Sequence, residues 1–200
     1  MELNPDIIDL YAHLHEQHPG QAQGVGWTDS QSAYRCYAAA TAVEEYLRVD
    51  PVMRTWLDVG CGYGGLGVFL KDYKRLPWAN YVGIDANEQV IAAAQDHLPM
   101  ATLDHVAFED IANSKEESFW RRDIVVGIGL LSWYDPFEAI QIIAEMWKLA
   151  NEAVVIVWNK DTSDVASGRE LGPQIGCDRW VERHDFSPQH GALYLLKPDA

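Results

Sequence analysis

Between Thr55 and Trp158 short apolar runs alternate with segments of helical period, and this rhythm constrains the fold more than any other feature. The strands are read at Thr55 to Val59, Tyr81 to Ile84, His105 to Phe108, Asp123 to Ile128 and Ala153 to Trp158. Helical patterns fall between them, at Gly65 to Lys74, Glu88 to His97, Lys115 to Trp120 and Pro136 to Leu149. Such alternation demands right-handed crossovers and a largely parallel sheet covered on both faces. The rhythm breaks at the end. Arg179 to Phe186 and Ala192 to Lys197 are separated only by Ser-Pro-Gln-His-Gly, so they should pair as an antiparallel hairpin. The stretch from Lys160 to Asp178 reads as a long polar loop without a strong helix.

Ahead of this core lies a helical leader, residues 1–50, which Pro51 separates from the rest. Ile7, Ile8, Leu10, Tyr11 and Leu14 recur at helical spacing from Pro5 to His15. A Gly-rich loop, Gly24-Val-Gly26-Trp27, follows, and Asp29 or Ser30 caps a second helix running to about Leu47. The expected architecture is α/β: a three-layer, doubly wound seven-stranded sheet, mostly parallel with an antiparallel C-terminal strand, plus an N-terminal helical extension. Two hundred residues bury about 70% of the surface their unfolded chain exposes, enough for one domain spanning 1–200.

Chemistry concentrates in Trp56-Leu-Asp-Val-Gly-Cys-Gly-Tyr-Gly-Gly-Leu-Gly67. A buried strand carrying Asp58 runs into Gly60, Gly62 and Gly64, and glycines let a backbone approach a ligand closely. Gly60, Gly62 and Gly65 also satisfy G-x-G-x-x-G, the dinucleotide fingerprint, which is a weak signal by itself. Asp58 argues against that reading. A carboxylate two residues before the first glycine would oppose a pyrophosphate, whereas a ligand with cationic groups resolves the conflict. Strand Tyr81-Val-Gly-Ile84 leads to Asp85, where a carboxylate can accept both hydroxyls of a ribose. The third strand leads to Glu109-Asp110-Ile111, where an acid can accept an adenine amino group.

Leu57-Asp-Val-Gly-Cys-Gly-Tyr-Gly64, Gly83-Ile-Asp85-Ala-Asn87, Glu109-Asp110-Ile111 and Asp123-Ile-Val-Val126 together resemble the class I S-adenosylmethionine-dependent methyltransferases. The resemblance runs from about Pro51 to the C-terminus, hairpin included. It implies S-adenosyl-L-methionine as cofactor, with Gly60 and Gly62 against its methionine moiety, Asp85 on the ribose, and Asp110 with Ile111 at the adenine. It also places Gly127, Ile128 and Gly129 by the methyl group, and counts Asp58, Cys61, Tyr63, Ala86 and Asn87 as cofactor-binding. In the leader, Arg35 is expected to pair with the methionine carboxylate or an acidic acceptor. Trp27 or Trp133 is expected to turn a π face to the sulfonium. The plainer reading of these aromatics is core packing.

Specialised acceptor motifs are absent. After the fourth strand stands Gly127-Ile-Gly-Leu-Leu-Ser-Trp133-Tyr134, which differs from the Asn/Asp-Pro-Pro-aromatic run of amino-methylating enzymes. No catalytic residue is assigned, because methyl transfer from a sulfonium needs a base only when the acceptor stays protonated. Asn159 and Lys160 lie where they can reach an acceptor. His13, His15 and His18 look like a metal cluster, yet residues two apart on a helix point in different directions, so no metal is expected. His184 and His190 are taken as surface residues.

Charge narrows the partners. Fifteen Lys and Arg against thirty Asp and Glu give −15, which repels polyanions, so a small-molecule acceptor is expected and nucleic acid is not. The apolar stretches fall well short of the roughly 20 residues a membrane helix needs. The three cysteines, odd in number and widely spaced, suit a reducing, cytoplasmic setting. A silent S-adenosylmethionine-binding subunit and an NAD-dependent oxidoreductase remain as alternatives.

Overall fold

The computed structural model describes residues 5–48, 53–112, 117–160 and 167–198, and for Pro5 to Ile8, Glu117 and Trp133 the backbone alone. Pro51, read above as the separator, therefore lies outside the described residues, as do 113–116 and 161–166 of the expected helix and loop.

Seven strands form one sheet in the order β3-β2-β1-β4-β5-β7-β6: β1 Trp56–Val59, β2 Tyr81–Asp85, β3 Thr102–His105, β4 Arg122–Ile128, β5 Ala150–Asn159, β6 Arg179–Arg183 and β7 His190–Leu196. β7 runs antiparallel between β5 and β6, and the other neighbours pair in parallel. The order reverses beside β1, so the C-terminal ends of β1 and β4 diverge there and open the crevice in which such sheets bind ligands.

Side-chain alternation builds two cores. Val154 and Ile156 of β5 join Leu57, Val125 and the buried face of helix α7 (Pro136–Leu149) on one side. Ala153, Val155 and Val157 point the other way, toward α3 (Gly65–Lys74) and α2 (Ser30–Thr41) through Leu66, Leu70, Cys36 and Ala40. α4 (Glu88–His97) buries Val90, Ile91 and Ala94. These faces are the reason the apolar strands read as continuous runs: a parallel strand is covered on both sides.

The leader contributes both to the site and to the core. Helix α1 (Pro5–Gln17) and a 3₁₀ turn at Ala22–Val25 lie over the ligand crevice, the first turns of α2 line it, and the rest of α2 is a structural layer. Its Asp29 cap accepts from Ser32 N at 2.7 Å. Its Ala39 carbonyl receives the Tyr194 hydroxyl of β7, and a 3₁₀ turn over Ala42–Tyr46, held to β6 by Arg179 Nη2 on Tyr46 O at 2.9 Å, replaces the expected last helical turn.

Two further elements differ from expectation. β3 ends at His105, and Phe108 opens a short helix, α5 (Phe108–Ala112), rather than closing a strand. A four-residue helix, α6 (Glu117–Trp120), follows. The supposed loop contains α8 (Gly168–Ile175), started by a Ser167/Glu170 capping box and ended by Gly176 in the left-handed conformation. Pro173 inside it obscured a sequence signature that Ser-Gly-Arg-Glu otherwise carries.

Candidate functional site

A cavity of about 620 Å³ opens at the C-terminal ends of β1, β2 and β4, under the leader. Its floor is the glycine turn. Gly60, Gly62 and Gly64 all have positive φ (70°, 55° and 71°), and Gly64 caps α3. A side chain at Gly62 would meet Val25 of the leader, and one at Gly24 would meet the Tyr63 hydroxyl, so leader and turn interlock where neither has a Cβ. His15 Nδ1 and Tyr63 Oη lie 2.7 Å apart and complete this latch.

Four of the turn's amides are already used. Gly60 N and Cys61 N both donate to Ile84 O at 2.9 Å, Gly64 N donates to Cys61 O at 2.9 Å, and Gly62 N donates to Asp85 Oδ2 at 3.0 Å. A pyrophosphate would need such amides free and pointing at it. Asp85 thus ties the turn to the end of β2, and its Oδ1 takes Asn87 N at 3.0 Å. A carboxylate has about four lone-pair sites, so accepting capacity remains for ligand hydroxyls. Burial pushes its pKa up while the Asn87 and Gly62 amides pull it down.

Asp58 sits behind the turn, 3% exposed, and accepts the Tyr81 hydroxyl at 2.7 Å. Burial raises its pKa to about 7 against the lowering effect of that hydrogen bond, and the charge of Asp85 adds to the rise. A buried acid at this point is stabilised as an anion only if a cation arrives. Asn87 caps α4 through Oδ1, which accepts from Gln89 N and Val90 N, while its Nδ2 is buried without a partner. Asn87 lines the cavity, and this buried donor is left without a protein acceptor beside it.

Most of the expected residues meet at this cavity: Trp27, Asp58, Gly60, Cys61, Gly62, Tyr63, Asp85, Ala86, Asn87, Ile128 and Gly129 all line it. Cys61 is packed, its thiol pushed well up by burial, so it is structural. Three expected residues are placed elsewhere. Arg35 is on the exposed face of α2, because the helix period that buries Ala33 and Cys36 turns it outward. Asp110 is exposed and Ile111 belongs to the core, since the chain is helical from Phe108 and turns Glu109 inward instead. Glu109, 3% exposed, lines the cavity and accepts the Tyr134 hydroxyl at 2.8 Å. Trp133's side chain lies outside the described residues.

Other lining residues carried weaker signals or none. His190, expected on the surface, is 9% exposed at the start of β7, hydrogen-bonded through Nδ1 to Ser187 Oγ at 3.0 Å. Asn159 lines the cavity, whereas Lys160 turns its Nζ to Ser187 O at 3.3 Å. Tyr11, Tyr34 and Tyr37 complete the roof; the Gly-Val-Gly-Trp run beside them was the one hint that the leader closes on a site. His13 and His15 point to different partners, Gln17 and Tyr63. Among the described residues no group of three or more His, Cys, Asp or Glu is arranged for a metal ion.

A family model described as "Methyltransferase domain" matches residues 57–153, from Leu57 in β1 to Ala153 in β5. Those residues are similar to methyltransferase domains, and the seven-stranded sheet around them is the Rossmann-like fold of class I S-adenosylmethionine-dependent methyltransferases. No curated protein matches the sequence. Solved structures similar to the methyltransferase include magnesium protoporphyrin IX methyltransferase (ChlM) from Synechocystis PCC 6803 with bound SAH: 16% identity, 97% of this chain and 95% of that one, TM-score 0.64. The plantazolicin methyltransferase BpumL in complex with SAH has 15% identity over 96% and 91%, with TM-score 0.63. A TehB-like SAM-dependent methyltransferase from Corynebacterium glutamicum has 17% identity over 97% and 100%, with TM-score 0.61. At these identities the likeness is one of fold. S-adenosylmethionine is the cofactor of such a domain. No helix among the described residues is long and apolar enough to cross a membrane.

Proposed function

We propose that this methyltransferase transfers a methyl group to a small-molecule acceptor held between the glycine turn and the leader. The observation that carries the cofactor side is the Asp58–Asp85 arrangement: a buried and a half-buried acid flank a glycine turn whose Gly60, Cys61, Gly62 and Gly64 amides are satisfied internally. Such a site suits a cationic, hydroxyl-rich ligand and is unsuited to a pyrophosphate. S-adenosylmethionine supplies a methyl group already activated by the positive charge on sulfur. The chain's own part is to bind, orient and exclude water.

In this reading Asp85 takes the ribose hydroxyls through its free lone pairs, and Asn87 Nδ2 donates to a nucleoside oxygen or nitrogen. Glu109, in place of Asp110, accepts the adenine amino group. Gly60, Gly62, Ile128 and Gly129 border the methionine end, while Asp58 offers the cationic groups a counter-charge. With Arg35 turned away, the ligand carboxylate falls to hydroxyl and backbone donors. The whole chain acts as one domain, 1–200, with leader and core inseparable. Three buried, unpaired cysteines support a reducing, cytoplasmic setting. The acidic balance disfavours nucleic acid.

Thermal unfolding tests this. SAM or SAH at about 100 times its dissociation constant adds roughly 2.7 kcal/mol and raises Tm, while NAD leaves it unchanged. A shift with NAD alone would overturn the assignment. Detection of SAH produced across an acceptor library separates an active enzyme from a silent binder.

A further inference from the structure

The leader does more than cover the site. Six rings follow one another from the protein surface into the cavity: Tyr73 on α3, Phe69 beneath it, then Tyr34 and Tyr37 on α2, Trp27 and His190. Phe69 and Tyr73 are stacked with centroids 4.8 Å apart, and Tyr34 stands edge-on to Tyr73 at 5.9 Å. Tyr34 to Tyr37 and Tyr37 to Trp27 are both 6.1 Å, and Trp27 to His190 is 6.0 Å. The inner members Trp27, Tyr34, Tyr37 and His190 line the cavity. The outer ones are open to solvent, Tyr34 by 42% and Tyr73 by 63%. Phe69, 8% exposed, accounts for core packing; two neighbouring tyrosines left in water beside it are not explained by the core.

Charge along the path is one-sided. The cavity holds Asp58, Asp85 and Glu109, and no Lys or Arg among its described lining residues. At the outer end Lys74 Nζ pairs with Glu44 at 3.1 Å, and Lys71 lies over the Trp78 ring at 4.6 Å and 3.7 Å from Asp72, while Arg35 on α2 is exposed to solvent. An anionic ligand entering the cavity meets three acids and no Lys or Arg among its described lining residues. A planar ligand without negative charge meets aromatic rings along this path, and a positively charged one gains cation–π attraction as well.

Resting on the methyl-transfer reading above, we propose that the acceptor is an extended planar, aromatic molecule, neutral or cationic. Its reacting end sits by Trp27 and Tyr37, and its far end lies on Tyr34 and Tyr73. The site selects against carboxylated or phosphorylated acceptors of the same shape.

The test uses the full chain saturated with SAH and three probes, titrated calorimetrically: 9-aminoacridine, acridine-9-carboxylate and benzylamine. The SAH titration comes first and stands alone; failure there overturns the cofactor reading, not the acceptor chemistry. With SAH bound, 9-aminoacridine is expected to bind at least tenfold more tightly than the carboxylate of the same ring system, and more tightly than single-ring benzylamine. Tyr34→Ala and Tyr73→Ala should each weaken 9-aminoacridine several-fold, with SAH affinity measured on the same variants. Equal binding of amine and carboxylate overturns the charge selection. No binding of 9-aminoacridine, or no loss in either variant, overturns the aromatic path, and so does a loss confined to SAH.

Discussion

Asp58 shows how much one buried carboxylate can do at a cofactor site. Its ordinary pKa of 3.8 rises to about 7 in the folded chain, mainly because burial penalises the charged form. The folded state therefore holds a proton that the unfolded state has released between about pH 4 and 7, and stability falls as pH rises through that window. A cationic ligand favours the ionised form, so its affinity should rise from pH 6 and level off above 7. Calorimetric SAM titrations at pH 6, 7 and 8 check this, and Asp58→Asn should flatten the profile. Asp85 acts differently, because it accepts two backbone amides. Asp85→Asn keeps the volume but loses the charge and one accepting oxygen; hydrogen bonds to charged groups contribute about 1.5–3 kcal/mol each. SAH affinity should drop at least tenfold, with a fold still cooperative by thermal unfolding.

At the scale of elements, what was legible followed the physics of repeating patterns. α3, α4 and α7 begin and end where their period and caps indicate, since Gly64, Asn87 and Asp135 are local signals. β3 is half-exposed at a sheet edge, so its apolar pattern is weak and the reading slid three residues toward Phe108. That slip misassigned the inward acid: a strand would have alternated Glu109 and Asp110, whereas a helix turns them by 100° each. Arg35 failed for a related reason, because a helix phase error of one residue moves a side chain from wall to solvent. His190 carried no local signal at all; its burial comes from β7 lying between β5 and β6. Two substitutions test element-level assignments. Ser167→Ala removes the α8 capping box and should lower stability by about 1 kcal/mol with SAH affinity unchanged. Gly24→Ala inserts a methyl group against the Tyr63 hydroxyl and the His18 carbonyl, which should cost about 1–3 kcal/mol and also weaken SAH binding. The contrast between the two, by thermal shift with and without SAH, separates the structural helix from the latch over the site.

For the whole molecule, net charge and site chemistry are linked but separable. Asp58, Asp85 and Glu109 are concentrated at one crevice, and most of the remaining acids are spread over a surface that totals −15. Long-range repulsion of that size disfavours the compact state and is screened by salt, whose Debye length shrinks from about 30 Å at 0.01 M to about 8 Å at 0.15 M. Tm should therefore rise over that range even without ligand. Cofactor binding should respond less, because charge pairs formed inside a buried site are screened far less than surface charges. A duplex DNA titration over the same salt range should show no binding at either end. Were DNA to bind at 0.01 M and dissociate at 0.15 M, a local cationic patch would have to outweigh the global field, and the exposed Arg121 and Lys148 would be the first residues to neutralise.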